Sequence, residues 1–195
     1  MKLGAKLQRG RRAFLTAALS CAALFCASPA PAADTLKVGY SDWPGWVAWQ
    51  VALEKNWLKE AGLNVKFEWF DYSASMDAYA AGKLDGVFVT NTDALVMGAT
   101  GAKSSLVLAT DYSSGNDMLI AKPGIHSLAD LKGKKIAVEV GLVDHLLLSN
   151  AMKKAGMKPS DVTLVNAKTN DLPQVFTAKD IAAIGVWQPS AGQAL

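Results

Sequence analysis

Short apolar runs alternate with longer amphipathic stretches along the chain from residue 36 onward. The runs have the length and composition of buried parallel strands, and in order they are LKVGY, VKFEWF, GVFVT, SLVLAT, KIAVEV, VTLVNA and AAIGVW. Two intervening stretches have helical spacing and end in Ala-Gly, which is typical of a helix C-terminus: GWVAWQVALEKNWLKEAG and VDHLLLSNAMKKAG. This alternation predicts an α/β fold in which helices are layered on the sheets.

The order of the elements repeats once along the chain. Three strands separated by two helices run from LKVGYSD to DGVFVTNTDA and again from KIAVEVGLVD to AAIGVWQPSA. The two Ala-Gly pairs begin at Ala61 and Ala155, 94 positions apart, which is too long a period for a solenoid. We therefore predict two similar β-α-β-α-β lobes, lobe 1 at 33–117 and an incomplete lobe 2 at 118–195. A small, polar segment, SSGN, lies between them and suits a hinge or crossover.

The N-terminus has the parts of a secretory signal peptide covering residues 1–32. A basic head ending in Arg11 and Arg12 precedes the apolar run AFLTAALSCAALFCA, and an APA motif ending at Ala32 is a small-residue cleavage site. We predict cleavage after Ala32 and export to the periplasm. The RRAFLT segment resembles the twin-arginine pattern, so the Sec and Tat routes both stay open, and a lipid anchor at Cys21 is an alternative.

Removal of this leader changes the composition of the remainder. The leader carries all three arginines and both cysteines, and the remaining 15 lysines and 17 acidic residues give a formal net charge of −2. A disulfide framework, a thiol nucleophile and a cysteine-ligated metal are thereby excluded. Nucleic-acid binding loses its main support, because the exported part has no basic patch.

The chain lacks the motifs of several enzyme classes. It contains no G-x-S-x-G nucleophile elbow and no histidine pair at metal-binding spacing. GATGAKSS resembles a phosphate-binding loop, but Ala102 stands where that loop needs a glycine before Lys103. We therefore predict a binding protein without catalytic residues, metal or cofactor.

Candidate ligand-binding residues lie where the predicted strands end and in the hinge. Ligands of open α/β sheets bind outside the carboxyl ends of the strands. Together with the hinge, which adds Asp117, this rule applied to both lobes gives the candidates Ser41, Asp42, Trp43, Trp46, Asn91, Thr92, Asp93, Asp117, Asp144, His145, Trp187 and Gln188.

The four aspartates of this set favour a cationic or neutral nitrogenous ligand over an anion. A carboxylate ~5 Å from a bound anion opposes it by roughly 3 kcal/mol at an effective dielectric constant of about 20. No arginine follows the leader to clamp an oxyanion. The alternative role for each aspartate is to cap a helix N-terminus or to lie on the surface.

Three of the six tryptophans lie in SDWPGWVAW, directly after the first strand. A desolvated cation over a tryptophan face gains about 2 kcal/mol. We expect Trp43 to form a wall of the cleft, Trp49 to lie in the core and Trp46 to bridge them, with Trp187 at the cleft of the second lobe.

The polar candidates would orient a small ligand by hydrogen bonds. Asn91, Thr92 and Gln188 are the groups expected to do so in an otherwise closed cleft. A capping or solvent-facing role is the alternative for His145.

Several of these segments resemble one class of transport protein. After the leader, LKVGYSDWPGWVAWQVALEKNWLKEAGLNVKFEWF, AAGKLDGVFVTNTDALV and DLKGKKIAVEVG resemble, in this order, the nitrate/sulfonate/taurine class of periplasmic substrate-binding proteins of ABC importers. The resemblance covers Leu36 to Leu195. It implies a two-lobed type II periplasmic-binding fold, ligand capture in the interlobe cleft, and delivery by a monomer to a membrane permease and, through it, its ATPase.

A narrower resemblance suggests the ligand. GYSDWPGW, DYSSGNDM, VGLVDHLLL and WQPSAGQA are similar to the branch associated with urea or guanidine carboxylases. The predicted function is capture of a guanidinium-, urea- or amine-like compound. The alternatives are a sulfonate-, taurine- or nitrate-binding protein of the same class, a protein that binds or makes a pyrimidine precursor of thiamine, and the sensor domain of a receptor.

The segment WQPSAGQAL predicts the first turn of a helix at the end of the chain, whereas proteins of this class continue further. We therefore expect a fragment. Loss of the final elements of a lobe exposes a sheet edge and apolar surface, so the 195-residue product should be much less stable than its full-length relative. Thermal unfolding of both checks this, and cooperative unfolding of the short product at the full-length midpoint would contradict it.

Overall fold

A computed structural model describes residues 34–195 of the chain as a mixed α/β structure with two sheets. The predicted signal peptide, with Cys21 and the twin-arginine-like motif, lies outside the described residues. Both sheets belong to one compact unit, Thr35–Leu195. The strands are β1 Leu36–Tyr40, β2 Val65–Trp69, β3 Gly86–Val87, β4 Asp117–Ala121, β5 Lys135–Val138, β6 Thr163–Asn166 and β7 Ile181–Trp187. The α-helices are α1 Val47–Glu54, α2 Trp57–Glu60, α3 Tyr72–Ala80, α4 Asn91–Ala99, α5 Val143–Lys154, α6 Leu172–Phe176 and α7 Ser190–Ala194.

The first sheet has three parallel strands in the order β2-β1-β3. Its central strand contains Gly39, where an added Cβ would lie 2.5 Å from the Leu84 Cδ1. The missing side chain therefore lets Leu84 pack directly on β1. The predicted long first helix is divided into α1 and α2 at Asn56, which has the left-handed backbone conformation with φ of 60°.

The second sheet has four strands in the order β4-β7-β5-β6. β5 pairs in parallel with β6 and β7, whereas β4 is antiparallel to β7. In both sheets the first strand of the repeat lies between the second and the third. This shared order agrees with the predicted repeat of two β-α-β-α-β units.

The second sheet buries apolar side chains on both faces. Ile184 and Val186 pack with helix α6 on one face. Val138 and Ala183 pack with Leu148 and Met152 of helix α5 on the other face. This double burial explains why the strands of the second sheet read as continuous apolar runs in the sequence.

The connection between the sheets differs from the prediction. SLVLAT is predicted as a strand, but residues 105–110 form irregular backbone, with Leu106 76% and Val107 92% exposed. The strand prediction for this segment is wrong, because a strand needs a neighbouring backbone as well as apolar residues. The partner position beside β7 is taken instead by β4, which is not among the predicted strands.

The ends of several elements also differ from the prediction. GVFVT is predicted as a full strand, but pairing with β1 is limited to Gly86 and Val87. The helix predicted in LPQVFTAKDI ends at Phe176. The predicted helical turn at the end of the chain is confirmed as α7. Within residues 34–195, none of the helices has the length and apolar character needed to cross a membrane.

Two leucines on helix α5 give a direct test of the core. Leu148 is 1% exposed and packs against β5 and β7, whereas Leu146 is 42% exposed. Leu148→Ala should lower the free energy of unfolding by about 2–5 kcal/mol through lost burial and a cavity. Leu146→Ala should change it by less than about 1 kcal/mol. Urea denaturation measures both, and equal effects would contradict the assigned packing.

Candidate functional site

The carboxyl ends of the two sheets meet around a cluster of aromatic side chains. Trp46 and Tyr72 come from the first half of the chain, and Trp187 is the last residue of β7. The Tyr72 and Trp187 rings are edge to face, with centroids 5.1 Å apart. Leu142 and Val143, at the start of α5, pack against the same cluster. The strand ends of both halves are therefore brought together, as a ligand site between two lobes requires.

Tyr72 holds the buried carboxylate of Asp93 in place. Its hydroxyl donates to Asp93 Oδ2 at 2.6 Å and accepts the backbone N–H of Thr90 at 3.0 Å. Asp93 is 1% exposed, and burial raises its pKa, although hydrogen bonds from Tyr72, Thr90 and the backbone of Val143 lower it. Burial and the charge of Asp93 also raise the pKa of Tyr72, so that its hydroxyl remains a donor.

Asp144, the second residue of α5, is the most perturbed carboxyl group of the site. It is 1% exposed, and neither of its carboxyl oxygens forms a hydrogen bond within residues 34–195. Burial raises the pKa of Asp144 to about 8, and the charges of Asp117, Asp93 and Glu139 add to this rise. Asp144 is therefore largely protonated at neutral pH.

Two further buried polar groups near the strand ends lack partners within the described part of the chain. They are the indole N–H of Trp187 and the hydroxyl of Ser41. Each buried polar group without a partner costs about 1–3 kcal/mol. Buried polar groups without partners are uncommon in folded proteins, so these groups make the region a candidate ligand site.

Glu139 is a site carboxylate that the sequence analysis missed. It follows β5 directly, is buried, and accepts hydrogen bonds from the backbone N–H and the hydroxyl of Thr169 at 3.3 and 3.1 Å. An acidic residue inside the apolar run KIAVEV is the signal that could have identified it.

A second missed group is Asp71, which connects the first half of the chain to the second. Its carboxylate accepts from Lys168 Nζ at 2.7 Å and from Asn170 Nδ2 at 3.2 Å. The hydrogen bond to Asp71 raises the pKa of Lys168. Burial raises the pKa of the nearby Asp42, with a further contribution from the charge of Asp71. Asp42 and Asp71 thus lie near each other, just beyond the ends of β1 and β2.

The tryptophans of SDWPGWVAW have three different environments. Trp46 is buried and stacks on Phe88, with ring centroids 5.4 Å apart. Trp49 is half-buried and contacts Phe67 and Phe88. Trp43 is half-buried and donates from Nε1 to Asp111 Oδ1 at 2.8 Å, which ties it to the connector. The role of Trp43 as a wall of the ligand cleft stays a prediction.

The other polar candidates form hydrogen bonds at helix ends. The Asn91 side chain accepts the backbone N–H of Thr92, and Thr92 shares a hydrogen bond with the Thr90 hydroxyl. His145 Nδ1 accepts the N–H of Gly141, and Gln188 Oε1 accepts that of Gly192. These contacts match the capping alternative for His145 and leave the ligand contacts of all four residues as predictions.

Asp93 and Asp144 do not take the alternative role of a helix cap or a surface residue. The N-cap of α4 is Thr90, whose hydroxyl accepts the N–H of Asp93, and the N-cap of α5 is Leu142. Asp93 and Asp144 are buried instead. Asp117 begins β4 and pairs with Trp187.

A pocket of about 270 Å³ lies between α4 and α5, and of the buried carboxyl groups it is lined by Asp93 but not by Asp144 or Glu139. Its walls include Thr92, Asp93, Gly141, Leu142 and His145. A larger pocket of about 380 Å³, bordered by Leu53 and Val65, lies away from the strand ends and from the buried carboxyls. Across residues 34–195, histidine and acidic side chains do not converge in a group of three or more that could hold a metal.

Comparisons with known proteins agree with this architecture. The alkanesulfonate-binding protein SsuA from Xanthomonas axonopodis pv. citri, solved with bound MOPS, superposes with a TM-score of 0.68 at 23% identity, over 83% of this chain and 56% of that one. At this identity the likeness shows the fold alone. The fold is the two-lobed type II fold of periplasmic binding proteins, as predicted.

Sequence comparison identifies the family. Residues 43–192 match the model described as NMT1/THI5 like, and the chain belongs to this family. It is 35% identical to a binding protein of Brucella abortus (strain 2308) over 93% of this chain and 56% of the relative. It is 28% identical to the taurine-binding periplasmic protein of Escherichia coli (strain K12) over 70% of this chain and 43% of the relative. The chain thus spans about half the length of the curated relatives it matches.

The titration of Asp144 predicts a pH dependence of stability. Between about pH 4 and pH 8 the folded protein holds a proton that the unfolded chain releases. The free energy of unfolding should therefore fall by about 1.4 kcal/mol per pH unit from this group as the pH rises through that window, and level off above it. Asp144→Asn should remove this contribution, which chemical denaturation at several pH values measures.

Asp77 supplies the matched control, because it is an exposed aspartate on α3. Asp77→Asn should keep the pH dependence of the parent protein. If Asp144→Asn and the parent show the same slope between pH 4 and pH 8, the assigned titration of Asp144 is wrong.

Proposed function

We propose that this protein is the solute-binding component of an ABC importer. In this proposal it is exported to the periplasm by the Sec or Tat route and captures a small nitrogenous compound between lobes at 33–117 and 118–195. It passes the compound to a membrane permease, acts as a monomer and catalyses no reaction. Family membership, the type II fold and the binding proteins among its relatives support this role.

The observation that carries the choice of ligand is the acidic character of the site. Asp93, Asp144 and Glu139 are buried together where the two sheets meet, and Asp117 adds a fourth carboxyl group. The sequence contains no arginine after Arg12. Because Asp144 holds its proton, a bound anion would meet the repulsion of the other carboxyl groups, which no guanidinium group offsets, whereas a guanidinium-, urea- or amine-like compound would find acceptors.

Aromatic residues give the site a second means of holding such a compound. Trp43 and Trp187 lie at the strand ends, and Trp187 belongs to the aromatic cluster of the two halves. A cation or a planar amide placed on an indole face gains up to about 2 kcal/mol when water is excluded. Ser41, Asp42, Trp46, Asn91, Thr92, His145 and Gln188 complete the proposed ligand environment.

The second candidate is a binding protein for a sulfonate, taurine or nitrate. The names of relatives favour it, since one binds taurine and a protein of similar fold binds alkanesulfonates. Under this alternative the aspartates have structural roles and the anion is bound by groups beyond those identified here. A pyrimidine-binding protein and a receptor sensor domain are the further alternatives.

A ligand panel distinguishes these candidates. The melting temperature of the full product of the gene, with its leader removed, is measured with guanidinium, urea, small amines and amides, an aminopyrimidine, taurine, an alkanesulfonate and nitrate. A ligand at a hundred times its dissociation constant adds about 2.7 kcal/mol, which raises the melting temperature by several degrees. We expect the nitrogenous compounds to cause this shift and Asp93→Asn or Trp43→Ala to remove it.

Matched substitutions control for general destabilisation. Asp77→Asn and Trp57→Ala change an exposed aspartate and an exposed tryptophan outside the site, and both should retain the ligand-induced shift. A shift with taurine, alkanesulfonate or nitrate alone would support the second candidate. No shift with any compound would argue against a solute-binding role.

A further inference from the structure

Two buried side chains of the site, Asp144 and Trp187, have polar atoms without hydrogen-bond partners in the described part of the chain, and together these atoms can both accept and donate. Asp144 offers two oxygens, and Trp187 offers one N–H that can only donate. Both side chains are more than nine-tenths buried, and within residues 34–195 neither of these polar ends has a hydrogen-bond partner.

The strand register places these two side chains on the same face of the second sheet. A Cβ added at Gly185 would lie 3.3 Å from the Asp144 Cβ, so Asp144 packs over β7 at that residue. Trp187 is two residues further along β7, and residues two apart share a face of the sheet. Asp117 pairs with Trp187 on the neighbouring strand.

We propose that the Asp144 carboxyl and the Trp187 indole N–H together bind a small planar ligand of the amide or urea class, through an edge that carries an N–H beside a carbonyl oxygen. This inference rests on the proposed solute-binding function and selects among the nitrogenous ligands considered there. The nearby pocket is lined by Asp93, whose charge acts on Asp144, and by His145, whereas Asp144 and Trp187 themselves do not line it.

The donor and acceptor pattern favours this class over a pure cation. A carboxyl group that holds its proton donates through one oxygen and accepts through the other, so an amide edge can form two hydrogen bonds with it. The Trp187 N–H can then donate to the second lone pair of the ligand carbonyl. Guanidinium has donors but no acceptor, and would leave the Trp187 N–H without a partner.

Burial and the neighbouring carboxyl groups keep Asp144 in the protonated form, which is the form that can both donate to and accept from an amide edge. The charged groups that face it are Asp117 on β4, Asp93 on α4 and Glu139 after β5, and all three disfavour its ionisation. β7, the strand on which Asp144 packs, has no titratable residue. His145, on the same helix as Asp144, accepts the Gly141 N–H through its Nδ1. The pKa of Asp144, raised to about 8, agrees with a proton held there at neutral pH.

The test compares urea and acetamide with guanidinium, which has the shape of urea but carries a charge. Dissociation constants are measured by calorimetry on the full gene product at about pH 6 and about pH 9. If only the protonated form binds, the constant for urea and acetamide should rise roughly tenfold at one pH unit above the pKa. Guanidinium should bind more weakly than urea at the lower pH.

Asparagine and leucine substitutions at Asp144 separate pairing from packing. Asp144→Asn keeps an N–H beside a carbonyl and does not titrate, so binding of urea and acetamide should be retained within a few-fold and become independent of pH. Asp144→Leu should abolish it, while Asp77→Asn should behave as the parent. Far-UV circular dichroism and melting temperature verify that each variant is folded.

Two results would overturn this inference without overturning the proposed function, and a third would overturn both. Tighter guanidinium binding at the higher pH, lost in Asp144→Asn, would make Asp144 a carboxylate site for cations and leave the solute-binding role intact. Binding of taurine or nitrate without urea or acetamide would exclude the amide class only. If no compound of the earlier panel binds, both the inference and the proposed function fail.

Discussion

One hydrogen-bonded tyrosine, Tyr72, connects the two halves of this molecule at the place where their strands end. The Tyr72 hydroxyl bonds to Asp93 and to the backbone of Thr90, while its ring contacts both Trp46 and Trp187. A single side chain thus connects α3, the start of α4, the aromatic cluster and the last strand of the second sheet. Because Asp93 also receives the backbone N–H of Val143, the position of α5 depends on the same contact.

This arrangement places polar groups where packing alone would favour apolar ones. Asp93 and Glu139 have hydrogen-bond partners that offset their burial, whereas burial, together with the charges of its neighbours, keeps Asp144 uncharged. A buried carboxyl without a partner is costly, and the same cost makes it sensitive to any group that can complete its hydrogen bonds. The buried carboxyl groups of this region thus differ in whether the described part of the protein completes their hydrogen bonds, and Asp144 is the one that it leaves incomplete.

The sequence predicts most of this fold and part of the site. The apolar runs of β1, β2, β5, β6 and β7 are strands because each is both apolar and paired. The repeated order of elements is visible in the sequence alone. SLVLAT is apolar but forms no strand, and β4 is a strand that was not predicted. Both errors arise because the pairing partner of a segment depends on the whole chain. The strand-end rule identifies Asp93, Asp144 and Trp187, but not Tyr72, Glu139 or Asp71, because hydrogen bonds across 21 to 99 positions leave no local pattern.

The position of β7 has a consequence for how the second sheet assembles. This strand lies between β4 and β5, yet it is the latest of the described strands in the chain. β4 therefore pairs with residues 62 to 70 positions further along the chain, and contacts of such high sequence separation typically form slowly. During synthesis the residues from Asp117 to Asn166 emerge before β7, the strand that joins β4 to β5. The second half of the molecule is thus expected to remain unfolded and aggregation-prone until residues 181–187 are present.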